Sequence, residues 1–294
     1  MEIAGVDFSG AKADDRTWMT AGTLEGDVLT LDDCRPVGRD ELSQLLLAMP
    51  AGSVAALDFP FSVPENFARF WLPSAATMPD LWAQASSTDL TQFLEIRDQY
   101  VADWGEPKRL CDLRFPECYS CLHKANPNMV PMTFYGMRML GPLWQAGCSV
   151  PPLDNNNAGN SSQAGKAVLL EAMPGAALKA LKLPHKGYKN GSNALKLRQE
   201  ILGNLENSSG VKIRNLSRFR EHCLVSHDAL DSVVAAVIAS LWARDPSVFW
   251  RPDVGGPDGV ALLEGWLYAP VFIQSGSTHE ILPQSAGSRP RTKN

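Results

Sequence analysis

The sequence predicts an α/β protein: a mixed sheet flanked by helices, with a large, mostly helical insertion. Three observations carry this expectation. Short runs rich in Val, Ile, Leu and Ala (2–8, 53–58 and 166–173) have the length of buried strands, and each ends in or carries an acid. Between and after them lie stretches with helical periodicity, 226–244 above all. The 294 residues are 45% hydrophobic and 20% charged, an ordinary balance for one elaborated globular core or two small ones.

In chain order, Glu2–Gly10 reads as a short strand in which Ile3, Val6 and Phe8 are the β-favouring residues and Asp7 stands near the end. Arg16–Gly22 and Asp27–Leu31 continue it as an antiparallel meander around the turn 24–27. Apolar positions 42, 45, 46 and 49 give an amphipathic helix over Arg39–Ala48. Ser53–Asp58 is a second acid-tipped strand, closed by Pro60 and Pro64. Lys166–Met173 is a third, carrying Glu171, and Pro174 opens a helix in whose first turn proline is acceptable. Asn193–Asn204 is helical. Ser226–Arg244 is the strongest helix, capped by Ser226 or His227 with acids in its first turns. Glu264–Pro270 is expected to add a last strand.

The core is thus assigned to residues 1–64 and 166–270, and residues 65–165 to an insertion that caps the site. Within the insertion, Trp71, Trp82, Phe93, Tyr100 and Trp104 lie in helical stretches, and Arg138 packs with aromatic neighbours. The polar run 153–165 is expected to be a mobile loop and the tail 271–294 disordered. No apolar run approaches the ~20 residues of a membrane span, and the first residues lack the pattern of a signal peptide. Six cysteines are too few for a disulfide scaffold in a chain this long, so reduced thiols and a cytoplasmic setting are expected. Cys111, Cys118, Cys121 and His123 include one C-x-x-C with a nearby histidine; a structural zinc site and a set of buried thiols are the two readings.

Singly, each acid has a plain explanation: Asp7 a turn cap, Asp58 a strand-end turn residue, Glu171 an ion-pair partner of a lysine, Asp228 and Asp231 acids that suit a helix N-terminus. Together they form a pattern. Carboxylates packed side by side repel and revert to the neutral form unless a cation sits among them. Hard oxygen ligands select Mg²⁺ or Mn²⁺, which can activate water for phosphodiester cleavage. Residues 179–220 carry ten Lys/Arg against two acids, a basic block suited to a phosphate-bearing substrate, although the whole chain, at −5, is not built to coat nucleic acid.

The order of these elements resembles the ribonuclease H-like fold, and the Asp228-Ala229-Leu230-Asp231 helix start is similar to the metal-binding helix of Holliday-junction resolvases on that fold. More closely, Gly5-Val6-Asp7, Ala56-Leu57-Asp58-Phe59-Pro60, Glu171-Ala172-Met173-Pro174, Lys186-Gly187-Tyr188-Lys189, His227–Asp231 and Glu264-Gly265-Trp266 resemble the family of unknown function numbered 429 (DUF429), described as predicted ribonuclease H-like nucleases. The resemblance implies a metal-dependent hydrolase acting on a nucleic acid or nucleotide. It makes Asp7, Asp58, Glu171 and Asp231 catalytic metal ligands and Asp228 a fifth candidate. Lys186, Tyr188 and Lys189 are expected to touch a substrate phosphate. Two alternatives stand beside it. One is an ATP-dependent phosphotransferase of the actin-like group, with Asp7–Gly10 and Lys12 cradling phosphate and Gly255-Gly256 approaching a nucleotide. The other is a non-catalytic binding module on the same scaffold.

Overall fold

A computed structural model describes residues 1–10, 16–115, 118–124, 128–153 and 166–271. A six-stranded mixed sheet runs through its centre in the order β5-β4-β1-β2-β3-β6. Strand β1 (Glu2–Asp7) pairs antiparallel with β2 (Trp18–Glu25), which pairs antiparallel with β3 (Val28–Pro36). On its other side β1 runs parallel to β4 (Val54–Asp58), and β4 runs parallel to β5 (Val168–Glu171). The short edge strand β6 (Lys212–Arg214) lies parallel to β3.

Both faces of the sheet are covered, so Ile3–Val6 of β1 and Val54–Leu57 of β4 are buried in succession rather than alternating between core and solvent. One face receives α7 (Pro174–Ala180), α8 (Ala194–Ser209), α9 (Leu216–Val225) and α10 (His227–Arg244). The other receives α1 (Arg39–Ala48), α2 (Glu65–Trp71), α3 (Met78–Ser87) and α4 (Leu90–Trp104); the short α5 (Leu110–Arg114) packs with the first layer through Leu110 and Cys111, and α6 (Met129–Gln145) returns to the second. The aromatic residues of this second layer form their own interlocked set, with Phe67, Trp71, Phe93, Tyr100 and Phe134 in edge or tilted contact. The insertion therefore supplies more than half of the apolar core on this face as well as part of the site wall.

Helix α10 is buried on nearly every side, which explains why its apolar residues surround the axis instead of forming a stripe. Ser226 caps it, accepting from the backbone N–H groups of Asp228 and Ala229 at 3.1 and 3.3 Å. The helix lies directly on β1 because Gly5 has no side chain: a Cβ there would fall 2.0 Å from Ala236 N and 2.2 Å from Ser232 O. The Thr20 and Ser232 hydroxyls, 2.7 Å apart, tie β2 to the same helix.

The predicted meander, α1, β4, β5, α7, α8 and α10 are all present, with ends moved by a few residues. Strand β6 and helix α9 add to them. The last predicted strand is not formed. Residues 261–264 make a short helix, α11 (Ala261–Glu264), and Gly265 leaves it at φ +75, outside the strand region. The chain beyond it is buried, but its strand pairing is limited to an isolated bridge, Phe249 to Pro270; Tyr268 N–H bonds Glu171 O and Val271 N–H bonds Val248 O. The predicted loop 153–165 from residue 154, the predicted tail 271–294 from residue 272, and Lys12 lie outside the described residues. No helix among the described residues is long and apolar enough to cross a membrane.

Candidate metal centre

Asp7 and Asp58 are in-register partners on parallel neighbours, so their side chains leave the same face of the sheet at its carboxyl end. That is the face on which α10 lies. The close approach at Gly5 brings the first turns of α10 over the strand ends and places Asp231 beside both acids. One carboxylate oxygen each from Asp7, Asp58 and Asp231 lies within 4.8 Å of the others. Among the described residues this is the single group of three or more such ligands.

The electrostatics of the trio are unfavourable without a cation. Burial, then the charges of Asp231 and Asp58, push the Asp7 carboxyl well above its ordinary range. Burial pushes Asp58 up to about 7, with Lys189 pulling it down and Asp231 pushing it up. Asp231 is completely buried. Its Oδ1 accepts from the Tyr188 hydroxyl at 2.8 Å. Its Oδ2 lies 2.7 Å from the Lys189 ammonium, yet the lysine is off the hydrogen-bonding direction and no donor points at that oxygen. Asp228 is adjacent, in contact with Asp7 and 2.6 Å from His227 Nδ1. Its burial raises its pKa, but the histidine bond and charge outweigh this and leave it below the usual range.

Glu171 is placed differently from its expected position. It pairs in register with Leu57, one residue short of Asp58, and alternation turns it away from the Asp7–Asp58 level. It stands outside the trio and is gripped by Arg109, whose Nη1 donates to Glu171 Oε2 at 2.8 Å. The Phe61 N–H donates to the same oxygen at 2.9 Å. Burial raises the Glu171 carboxyl while Arg109 pulls it down. The bland alternative for Glu171, an ion pair, is thus what the structure contains, with arginine in the place of lysine.

Arg109 was not legible from the sequence, because two of its three partners are 62 and 155 residues away in the chain. It is 2% exposed and spends all five N–H donors on Asp112, Glu171 and the Glu264 carbonyl. It has none left for a substrate. Glu264 completes this junction: its carboxylate accepts from Glu65 N–H at 2.6 Å and Leu110 N–H at 2.7 Å. One buried acid thereby satisfies the amino-terminal ends of two insertion helices, α2 and α5.

The predicted substrate residues divide. Tyr188 and Lys189 turn inward to hold Asp231, and Lys186 lies on the cavity wall. The cavity above the trio measures about 910 Å³. Arg16, His185 and Lys186 supply cationic or ionisable groups to its lining, and Tyr119, Met129 and Met132 supply apolar surface. Cys111, Cys118, Cys121 and His123 do not gather as metal ligands: Cys118 Sγ meets Met173 Sδ at 3.1 Å, and His123 Nδ1 meets Glu106 Oε2 at 2.6 Å. Ser9 and Gly10, just after β1, line the cavity and are also packed against the protein. Ser9 N–H donates to Thr17 Oγ1 at 3.0 Å, and a Cβ on Gly10 would fall 2.2 Å from the backbone N of Met132. Gly255 and Gly256 belong to a turn closed on Asp253 and are not part of the cavity lining.

No curated protein and no solved structure matched the chain. Residues 151–254, the stretch that carries Glu171, Tyr188, Lys189, Asp228 and Asp231, match the model of the family described as "Protein of unknown function (DUF429)".

Proposed function

We propose that this protein is a metal-dependent phosphodiester hydrolase of ribonuclease H-like type, in which Asp7, Asp58 and Asp231 hold Mg²⁺ or Mn²⁺. The observation that carries the reading is the convergence of three carboxylates from β1, β4 and α10, with Asp7 and Asp58 lining a cavity and Asp231 buried behind them. The donor set fits a hard divalent cation: all oxygen, mutually repelling, and with a fully buried Asp231 oxygen that lacks a hydrogen bond. The order of strands β1 to β5, with an acid on β1, β4 and β5 and a helix carrying two more, supports the same reading.

When bound, the metal would supply Lewis acidity toward a phosphoryl oxygen and lower the pKa of a coordinated water. The chain's own residues prepare for this. Tyr188 fixes the orientation of Asp231 through its hydroxyl. Asp228 lies beside Asp7 as a further carboxylate at the rim of the centre. Arg109 holds Glu171 and Asp112 as a rigid wall that keeps the insertion against the core. Lys186 and Arg16 offer positive charge where an anionic substrate would enter. The cavity volume is that of a nucleotide-sized ligand or a single-stranded end. A cytoplasmic setting belongs to the same proposal.

The test is a cleavage panel with Mn²⁺: single- and double-stranded DNA and RNA, a branched junction and a cyclic dinucleotide, with Asp7→Asn as the blank. Cleavage of any member by the wild type and loss in the variant is the expected result. Cleavage that survives in Asp7→Asn, or none in protein that has bound Mn²⁺, would overturn the hydrolase reading.

A further inference from the structure

Lys189 is an unusual neighbour for a metal centre. Its side chain is 47% exposed, so it could reach solvent, yet its ammonium lies 2.7 Å from Oδ2 of the wholly buried Asp231. That oxygen receives no directed hydrogen bond, so charge alone holds the lysine there. Tyr188, the preceding residue, already satisfies Oδ1. The ammonium therefore stands on the Asp231 oxygen that remains without a hydrogen bond and is open to a cation. An ion binding to the same oxygen would sit beside the ammonium, where like charges repel.

Resting on the metal reading above, we infer that Lys189 is a tethered counter-ion: it offsets part of the charge of the carboxylate trio in the metal-free protein, and a divalent cation must displace it to load. The short loop that carries it can supply the movement. Gly187 lies two residues before it at φ +76, and Gly191 two residues after it at φ +104. Once displaced, the ammonium joins Lys186 and Arg16 at the cavity wall, where a phosphate would hold it out. Metal and an anionic substrate would then favour each other's binding.

The test compares Mn²⁺ affinity by calorimetry at pH 8 in wild type, Lys189→Met and Tyr188→Phe, each checked for folding by circular dichroism. Lys189→Met is expected to bind Mn²⁺ about tenfold tighter, the scale of an ion pair between an exposed and a buried partner. Tyr188→Phe removes a hydrogen bond without removing a charge and is expected to show no gain. Equal or weaker binding by Lys189→Met would overturn the inference, because a lysine that merely positions Asp231 would help the metal. A second measurement needs no variant. Mn²⁺ is expected to raise the acylation of Lys189 severalfold by mass spectrometry, with Lys186 as the internal reference. Unchanged Lys189 labelling in Mn²⁺-loaded protein would also overturn it. If neither wild type nor Lys189→Met binds Mn²⁺, the metal reading falls and takes this inference with it.

Discussion

Asp58→Asn should stabilise the metal-free protein, and by a pH-dependent amount. The substitution keeps the shape of the side chain and removes one charge from the trio. In the folded chain the Asp58 carboxyl stands at about 7 against an ordinary value of 3.8. A displacement of that size favours the protonated form by about 4 kcal/mol. Below about pH 4 both folded and unfolded chains hold the proton, and the substitution is close to neutral. Between about pH 4 and 7 the unfolded chain releases its proton before the folded chain does, so wild type loses stability as pH rises. Above about pH 7 the loss is complete, and Asp58→Asn is ahead by the full amount. At ~2–4 °C per kcal/mol this is a rise in Tm of about 10 °C at pH 8. The assay is thermal denaturation in EDTA at pH 4 and pH 8. A variant no more stable than wild type at pH 8, or an advantage larger at pH 4, would refute the reasoning that the carboxylates repel one another when metal is withheld.

Other outcomes follow from the same geometry. Arg109→Met leaves Glu171 and Asp112 buried without their cation and should cost about 3–5 kcal/mol in urea denaturation; a loss under about 1 kcal/mol would show that the junction is not a charge-paired network. Gly5→Ala forces a methyl group into the backbone of α10 and should cost at least about 3 kcal/mol, with metal affinity falling as Asp231 is pushed from Asp7; wild-type melting would contradict the close approach. Tyr188→Phe should lose about 1–2 kcal/mol by thermal denaturation, the scale of a hydrogen bond to a buried charged group, and an unchanged Tm would argue against it.

Asp7 and Asp58 were legible because each ends a short apolar run, and parallel pairing in register then aligned them. Asp231 was legible because it stands in the second turn of a strongly marked helix. Glu171 met the same sequence criterion, but side-chain direction in a strand alternates with every residue, and a pairing one residue out of phase with Asp58 sent it to Arg109. Sequence alone does not give that register. Lys189 sat in a basic loop whose charges suggested solvent and phosphate; only the fold brings it to a buried acid more than forty residues later. Strand β6 escaped notice because it has three residues, of which only Ile213 is buried. Glu264–Pro270 looked like a strand because it is apolar and buried, but burial there comes from packing under the sheet edge, and Gly265 and the isolated bridge give it no ladder. In the buried junction of Arg109, Asp112, Glu171 and Glu264 only the Arg109–Asp112 pair is local, and three chain segments distant in sequence build the whole.

The most direct measurement is a calorimetric titration of Mn²⁺ into wild type and into Asp231→Asn, both confirmed as folded. Asp231 is the oxygen donor common to the trio, the Tyr188 bond and the Lys189 pair, so its charge should be indispensable to the ion. Saturable binding by wild type, and its loss in Asp231→Asn, is the predicted result. Equal Mn²⁺ binding by the two proteins would contradict the metal centre.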